Sequence, residues 1–215
     1  MKWFKRDLKY PKFYRHYKAA FNHKINDLDA VRFVVFDTET TGLDPKSDRI
    51  ISIGTVAVQA FEINVYDSLE CYVKQEHFNK DTVQIHGLLK AGNITKLEEK
   101  DAIIAFLAHI KNSVLVAHHA AFDIAMVNEA LKRMGLPKLK NKVIDTGKLY
   151  QKTKYIKDHK HYSLDELCNT FNIRMHDRHT ASGDAFLTAL IFLKLSSLLK
   201  KKSKNLKLKD FMHWF

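Results

Sequence analysis

Hydrophobic positions along this 215-residue chain change their period several times, and each change marks a structural element. Val31 to Phe36 is apolar and β-branched apart from Arg32, which predicts a buried strand. Ile50 to Ala60 and Ile63 to Val73 predict two more strands, and the connection between them is short enough for antiparallel pairing. Leu97 to Ile110 repeats its apolar residues at helical spacing, and Val114 to Ala117 follows as a short buried strand. Ala121 to Met134 reads as a helix ended by Gly135 and stopped by Pro137. Val143 to Ile144 is a last short strand. Ser163 and Glu166 form an S-x-x-E capping box that opens a helix over Ser163 to Phe171. Ala181 to Leu199 is a long final helix.

Both ends add to this pattern. Pro11 opens a helix as its first residue, and Phe13, Tyr14, Tyr17 and Phe21 recur at helical spacing opposite Lys12, Arg15 and Lys18. That aromatic stripe is expected to pack on the main domain. Leu206 to Phe215, apolar at 208, 211, 212 and 215, predicts a short docked helix. Three strands followed by alternating helix and strand predict an α/β fold, a mixed sheet with helices packed on it. The organisation expected is a basic aromatic extension over 1–30, a domain over 31–199 and a basic tail over 200–215.

Composition narrows the class. With 46% hydrophobic and 28% charged residues, the chain is expected to build a folded core. Its two cysteines, Cys71 and Cys168, offer neither a disulfide framework nor a thiolate zinc cluster. No uninterrupted apolar run reaches the roughly 18 residues of a membrane span, so a cytoplasmic protein without a membrane partner is expected.

The net charge is +12, and it is unevenly placed. Residues 1–32 carry nine Lys/Arg against three Asp/Glu, and residues 191–215 carry seven against one, whereas the segment between holds twenty of each. Within that neutral body, Lys132 to Lys160 holds ten basic residues against Asp145 and Asp158. A basic surface around a carboxylate-rich centre suits a polyanion substrate. On charge alone, a lysine-rich solvated surface accounts for it equally well.

Three segments carry candidate chemistry. The first strand runs into Asp37-Thr38-Glu39-Thr40-Thr41-Gly42-Leu43, and residues two apart on a strand point to the same side. Asp37 and Glu39 therefore project together, and two adjacent carboxylates repel unless a cation lies between them. Oxygen ligands without sulfur favour Mg²⁺ or Mn²⁺ over zinc. Gly42 lets the backbone approach a ligand. In Val116-Ala117-His118-His119-Ala120-Ala121-Phe122-Asp123, a strand runs into a helix with Asp123 in its first turn, where an acid also complements the helix dipole. In Arg178-His179-Thr180-Ala181-Ser182-Gly183-Asp184-Ala185, Asp184 sits where the long helix meets the core and needs a charged partner or a metal. His179, on a stretch with Gly and Ser, can swing over the same site as a general base.

The order D-x-E, then H-x-A-x-F-D, then H-x4-D resembles the DEDDh (DnaQ-like) 3′–5′ exonucleases, which include the proofreading epsilon subunit of bacterial DNA polymerase III. The resemblance runs from about Val31 to Leu195. It takes in Gln84-Ile85-His86-Gly87, Val143-Ile144-Asp145-Thr146 and Ser163-Leu164-Asp165-Glu166-Leu167-Cys168. His119 departs from the pattern, where family members usually have Asn. Both tails lie outside it.

The resemblance implies a ribonuclease-H-like fold, a five-stranded mixed sheet flanked by helices. It implies that Asp37, Glu39, Asp123 and Asp184 hold two Mg²⁺ or Mn²⁺ ions, one carrying the attacking water and the other stabilising the leaving 3′ oxygen, with His179 taking the water's proton. It places Thr40, Thr41, Gly42 and Leu43 around the terminal nucleotide, with His86 and Phe122 near its sugar or base. Leu43 and Phe122 could equally be core residues, and His86 a helix-end residue. The implied activity is hydrolysis of DNA from the 3′ end to release nucleoside monophosphates in proofreading or repair, acting on single-stranded DNA or 3′ ends, with a free-standing enzyme preferred over one associated with a DNA polymerase. The D-T-E-T-T-G-L and Val-Ala-His segments look closer to the DNA branch than to RNase T-like or oligoribonuclease-like enzymes, which act on RNA 3′ ends. The other alternative is an inactive exonuclease-like binding module. Retention of all four acids and His179 speaks against that reading.

Overall fold

The structure is a computed structural model that describes residues 9–22, 27–75, 95–153, 160–203 and 205–212. Among them, helix α1 (Lys12–Ala20) precedes strands β1 (Phe33–Thr40), β2 (Ile50–Gln59), β3 (Glu62–Val73) and β4 (Lys96–Leu97). Helix α2 (Glu99–Ile110), strand β5 (Val114–Ala117), helix α3 (Ala121–Arg133) and strand β6 (Val143–Asp145) follow. Helices α4 (Thr146–Thr153), α5 (Leu164–Thr170), α6 (Ala181–Lys202) and α7 (Leu208–Phe211) complete the described chain.

The strands form one mixed sheet in the order β4-β3-β2-β1-β5-β6. β1, β2 and β3 pair antiparallel, whereas β5 runs parallel to both β1 and β6. The sheet has six strands rather than the expected five, because Leu97 pairs with Val73 as part of β4 instead of starting a helix. Helix α2 therefore begins at Glu99, with Glu98 at its N-cap position.

Each face of the sheet carries its own core. Val34 and Phe36 of β1 pack with α1, α2 and α3, and Phe33 and Val35 pack with α4, α5, α6 and α7. This two-residue alternation sends Asp37 and Glu39 towards α6 and Thr38 towards α3. The strand continues four residues past the apolar run because β2 remains hydrogen-bonded beside it, with Asp37 opposite Gly54 and Glu39 opposite Ser52.

Local signals explain most of the helix ends. Gly135, at φ +69°, closes α3 with a Schellman arrangement: its N–H donates to the Lys132 carbonyl and the Leu136 N–H to that of Leu131, both at 2.9 Å. The Ser163–Glu166 capping box is formed as expected. Pro11 stands at the N-cap of α1, one position before the first helical residue. The aromatic stripe of α1 does pack on the domain: Tyr14 and Tyr17 are buried, and the Tyr17 hydroxyl donates to Asn141 Oδ1 at 2.6 Å. By length and composition α6 is apolar enough to cross a bilayer, although Thr188, Lys194 and Ser196 interrupt its apolar runs. Here Leu187, Ile191, Phe192 and Leu195 of α6 are buried in the second core.

Candidate active site

Three of the predicted acids meet at the carboxyl end of β1. Ligand oxygens of Asp37, Glu39 and Asp184 all lie within 4.8 Å of one another. Asp184 reaches β1 because the first turn of α6 lies directly on β2 at Gly54. A Cβ on Gly54 would stand 2.2 Å from the Ala181 carbonyl carbon, a distance no side chain tolerates. Thr180 caps the helix by accepting the Gly183 N–H at 3.1 Å. Ser182 then ties the turn to β3, its hydroxyl donating to Glu70 Oε1 at 2.5 Å.

Asp123 approaches from the other side of the sheet and stands outside that 4.8 Å group. It is 3% exposed, in the first turn of α3, and its Oδ1 accepts both the Thr38 N–H at 3.0 Å and the Thr38 hydroxyl at 2.6 Å. Thr38 is the residue between Asp37 and Glu39, so the strand that carries two acids also anchors a third.

The electrostatics are those of carboxylates crowded without enough positive charge. Burial raises Asp37 well above the usual carboxylate range, and the charges of Asp123, Asp184 and Glu39 raise it further. Burial, then Asp184, pushes Glu39 up to about 7. Burial also takes Asp123 to about 7, although its bonds from Thr38 oppose the shift. Arg178 supplies partial relief. Its Nη1 donates to Asp184 Oδ2, and its Nε donates to Asp165 Oδ1 at 2.6 Å. The other oxygen of Asp184, Oδ1, is buried with no hydrogen-bond partner. A buried anionic oxygen with no donor, beside two further carboxylates, is what a hard divalent cation such as Mg²⁺ or Mn²⁺ would satisfy. The residues present fit such an ion.

His179 is exposed, with φ +62°, on the turn before α6, and its ring has no hydrogen bond to the acids. His118, by contrast, is held on both nitrogens, with Nε2 2.9 Å from the Tyr162 carbonyl and Nδ1 2.9 Å from Thr146 Oγ1. A carbonyl only accepts, so Nε2 carries the proton and Nδ1 accepts. Burial, then neighbouring His119, lowers His118 to about 4, which leaves it a neutral structural link.

The loop after β1 is built around Asp48. Thr41 Oγ1 donates to Asp48 Oδ1 at 2.8 Å, and the Asp44 N–H donates to Asp48 Oδ2 at 2.9 Å. A Cβ on Gly42 would come within 2.5 Å of Asp48 Oδ2, so any side chain there would have to displace the Asp48 carboxylate. Thr40 Oγ1 donates to the Gly42 carbonyl at 2.7 Å. Leu43 is 86% exposed, which removes its alternative reading as a core residue. Phe122 is half-buried against the first core. His86 lies outside the described residues.

Four further contributors escaped the sequence reading: Thr38, Gly54, Arg178 and Asp145. The last has a legible signal, an Asp immediately before the first helical residue. Asp145 Oδ1 accepts the Lys148 N–H at 3.1 Å and caps α4, while Oδ2 accepts the Ala120 N–H at 2.9 Å beneath the α3 entry. A cavity of about 750 Å³ lies at the opposite end of the sheet, around Arg32, Lys111 and Lys142, and touches none of the predicted site residues.

The sequence pattern of the RNase T exonuclease family matches residues 34–192. Similar proteins include the PolC-type DNA polymerase III of Caldanaerobacter subterraneus subsp. tengcongensis, 35% identical over 176 residues, covering 79% of this chain and 12% of that one. The PolC-type DNA polymerase III of Oceanobacillus iheyensis is 31% identical over 196 residues, covering 90% and 13%. The chain thus spans about an eighth of the length of these polymerases. Among solved structures, exonuclease X in complex with 5′ overhanging duplex DNA matches with a TM-score of 0.62 at 22% identity, over 84% of this chain and 96% of that one. E. coli exonuclease I in complex with a dT13 oligonucleotide matches with a TM-score of 0.68 at 13% identity, over 80% and 42%. The structural likeness is one of fold, a ribonuclease-H-like sheet flanked by helices.

Proposed function

The chain belongs to the RNase T family of exonucleases, and we propose that it removes nucleotides one at a time from the 3′ ends of single-stranded DNA, dependent on divalent metal, in proofreading or repair. The observation that carries this reading is the meeting of Asp37, Glu39 and Asp184, one of whose carboxylate oxygens is buried without a partner, with Asp123 held by Thr38 of the same strand. Asp37, Glu39, Asp123 and Asp184 would hold two Mg²⁺ or Mn²⁺ ions, which supply charge neutralisation, activation of water and stabilisation of the leaving oxygen.

The chain's own residues do the remainder. His179, whose exposed ring makes no hydrogen bond to the acids, receives at its imidazole nitrogen the proton of the water that attacks the terminal phosphorus. The bond to the 3′ oxygen of the penultimate nucleotide breaks, and a nucleoside 5′-monophosphate leaves. The loop Thr40 to Leu43, braced by Asp48, presents the exposed Leu43 side chain to the terminal base. Phe122 and His86 complete the pocket on this reading. Lysines between Lys132 and Lys160 attract the phosphate backbone.

DNA as substrate is supported by the relatives, which are DNA polymerases, and by the DNA in the structures of similar fold. The same relatives support association with a polymerase. The test uses one oligonucleotide as DNA and as RNA, labelled at either end, with Mg²⁺, with Mn²⁺ and with chelator. The expected result is mononucleotide release from the DNA 3′ end, abolished by chelator. Degradation from the 5′ end, or internal cuts, would contradict the assignment, and faster loss of RNA would move the substrate to RNA.

A further inference from the structure

Arg178 stands in an unusual position for a cation: among the described residues it alone forms an ion pair with any of the four acids. Its guanidinium bridges two carboxylates of opposite character. Asp184 has 10% of its side chain exposed and belongs to the acid site, whereas Asp165, in the first turn of α5, is 50% exposed and does not. The backbone that carries Arg178 is pinned. The Asp177 carbonyl lies 2.1 Å from where a Gly183 Cβ would be, and it also accepts the Thr180 hydroxyl at 2.7 Å. Arg178 can therefore redistribute itself between its two partners only by moving its side chain.

We infer that Arg178 is the resident counter-cation of the acid site, competing with the divalent ion for Asp184 and retaining Asp165 when it yields. An ion coordinated by Asp184 must lie within a few ångströms of the guanidinium, which is always charged, so the two repel in a poorly solvated cleft. Without a metal, Arg178 neutralises one buried carboxylate that would otherwise be unpaired. With a metal, that task passes to the ion, and the bond to Asp165 keeps the displaced guanidinium from standing half-buried and unpaired.

Arg178's role presupposes the metal-dependent reading, and one titration separates the two. Mn²⁺ binding to the full chain is followed by the electron paramagnetic resonance of free Mn²⁺, for the wild type, Arg178→Met and Asp165→Asn. Competition predicts about tenfold tighter binding in Arg178→Met, where the repulsion is gone, and about threefold weaker binding in Asp165→Asn, where Arg178 has only Asp184 to hold. A purely structural role would weaken binding in Arg178→Met as well. Any pair of results other than these opposite shifts overturns the competition while leaving the metal site in place. A wild type that binds no Mn²⁺ overturns the metal site itself. Should Arg178→Met not fold, Asp165→Asn decides alone: weaker binding supports the competition, and unchanged or tighter binding overturns it.

Discussion

The backbone of Ala181 lies so close to Gly54 that a Cβ there would stand 2.2 Å from the Ala181 carbonyl carbon. Gly54 pairs directly with Asp37 across β1 and β2. The close approach therefore sets how far Asp184, the fourth residue of α6, stands from Asp37. Helix-to-sheet packing and the spacing of these acids are fixed at one point.

Gly54→Ala should consequently harm catalysis beyond its effect on folding. Overpacking at such a contact costs about 1–3 kcal/mol, and a displacement of about 1 Å at the acids costs on the order of 10²-fold in rate. The check pairs thermal denaturation with nuclease assays. A fully active variant would show that α6 tolerates the shift.

Thr38→Val removes one of the two hydrogen bonds to Asp123 Oδ1 and leaves the backbone bond in place. The ionised form of Asp123 loses support that is worth about 1–3 kcal/mol at a buried anion. Mn²⁺ affinity measured against pH should then have its midpoint moved to higher pH, with little change in the circular dichroism spectrum.

Stability should respond to pH differently with and without metal. Glu39 and Asp123 are raised to about 7 by burial in the folded chain, well above their unfolded values. Between those unfolded values and about 7, the folded state thus binds more protons, and its stability falls as pH rises through that window. His118, lowered to about 4, acts in the opposite sense between about 4 and its unfolded value. Its contribution cancels when melting curves with and without Mg²⁺ are compared at each pH. Stabilisation by Mg²⁺ should grow from pH 5 to pH 8, since the ion binds the ionised acids. A constant increment would mean that these acids do not bind the ion.

His179→Ala should slow hydrolysis by roughly 10²–10⁴-fold, the contribution of a general base, while Mn²⁺ affinity stays within about twofold of the wild type. Full activity would remove His179 from the mechanism.

Much of this arrangement is legible in the sequence because it follows from periodicity. The alternation that buries Val34 and Phe36 on one face and Phe33 and Val35 on the other also aims Asp37 and Glu39 together. Gly135 and Ser163 mark real helix ends for local reasons. Two elements were hidden. Helix α4 opens with Thr146-Gly147, poor helix formers, and forms because Asp145 caps it and Leu149 and Tyr150 are buried. Strand β4 has two residues and exists only through its pairing with β3. Arg178 was illegible for a different reason. A cation beside His179 has no local signal, and only the fold reveals that Asp165 and Asp184 flank it.

The most direct measurement is the anomalous difference density of crystals soaked in Mn²⁺. The account predicts two peaks about 4 Å apart, within coordinating reach of Asp37, Glu39, Asp123 and Asp184. Peaks elsewhere on the molecule, with none beside Asp37 and Glu39, would contradict it.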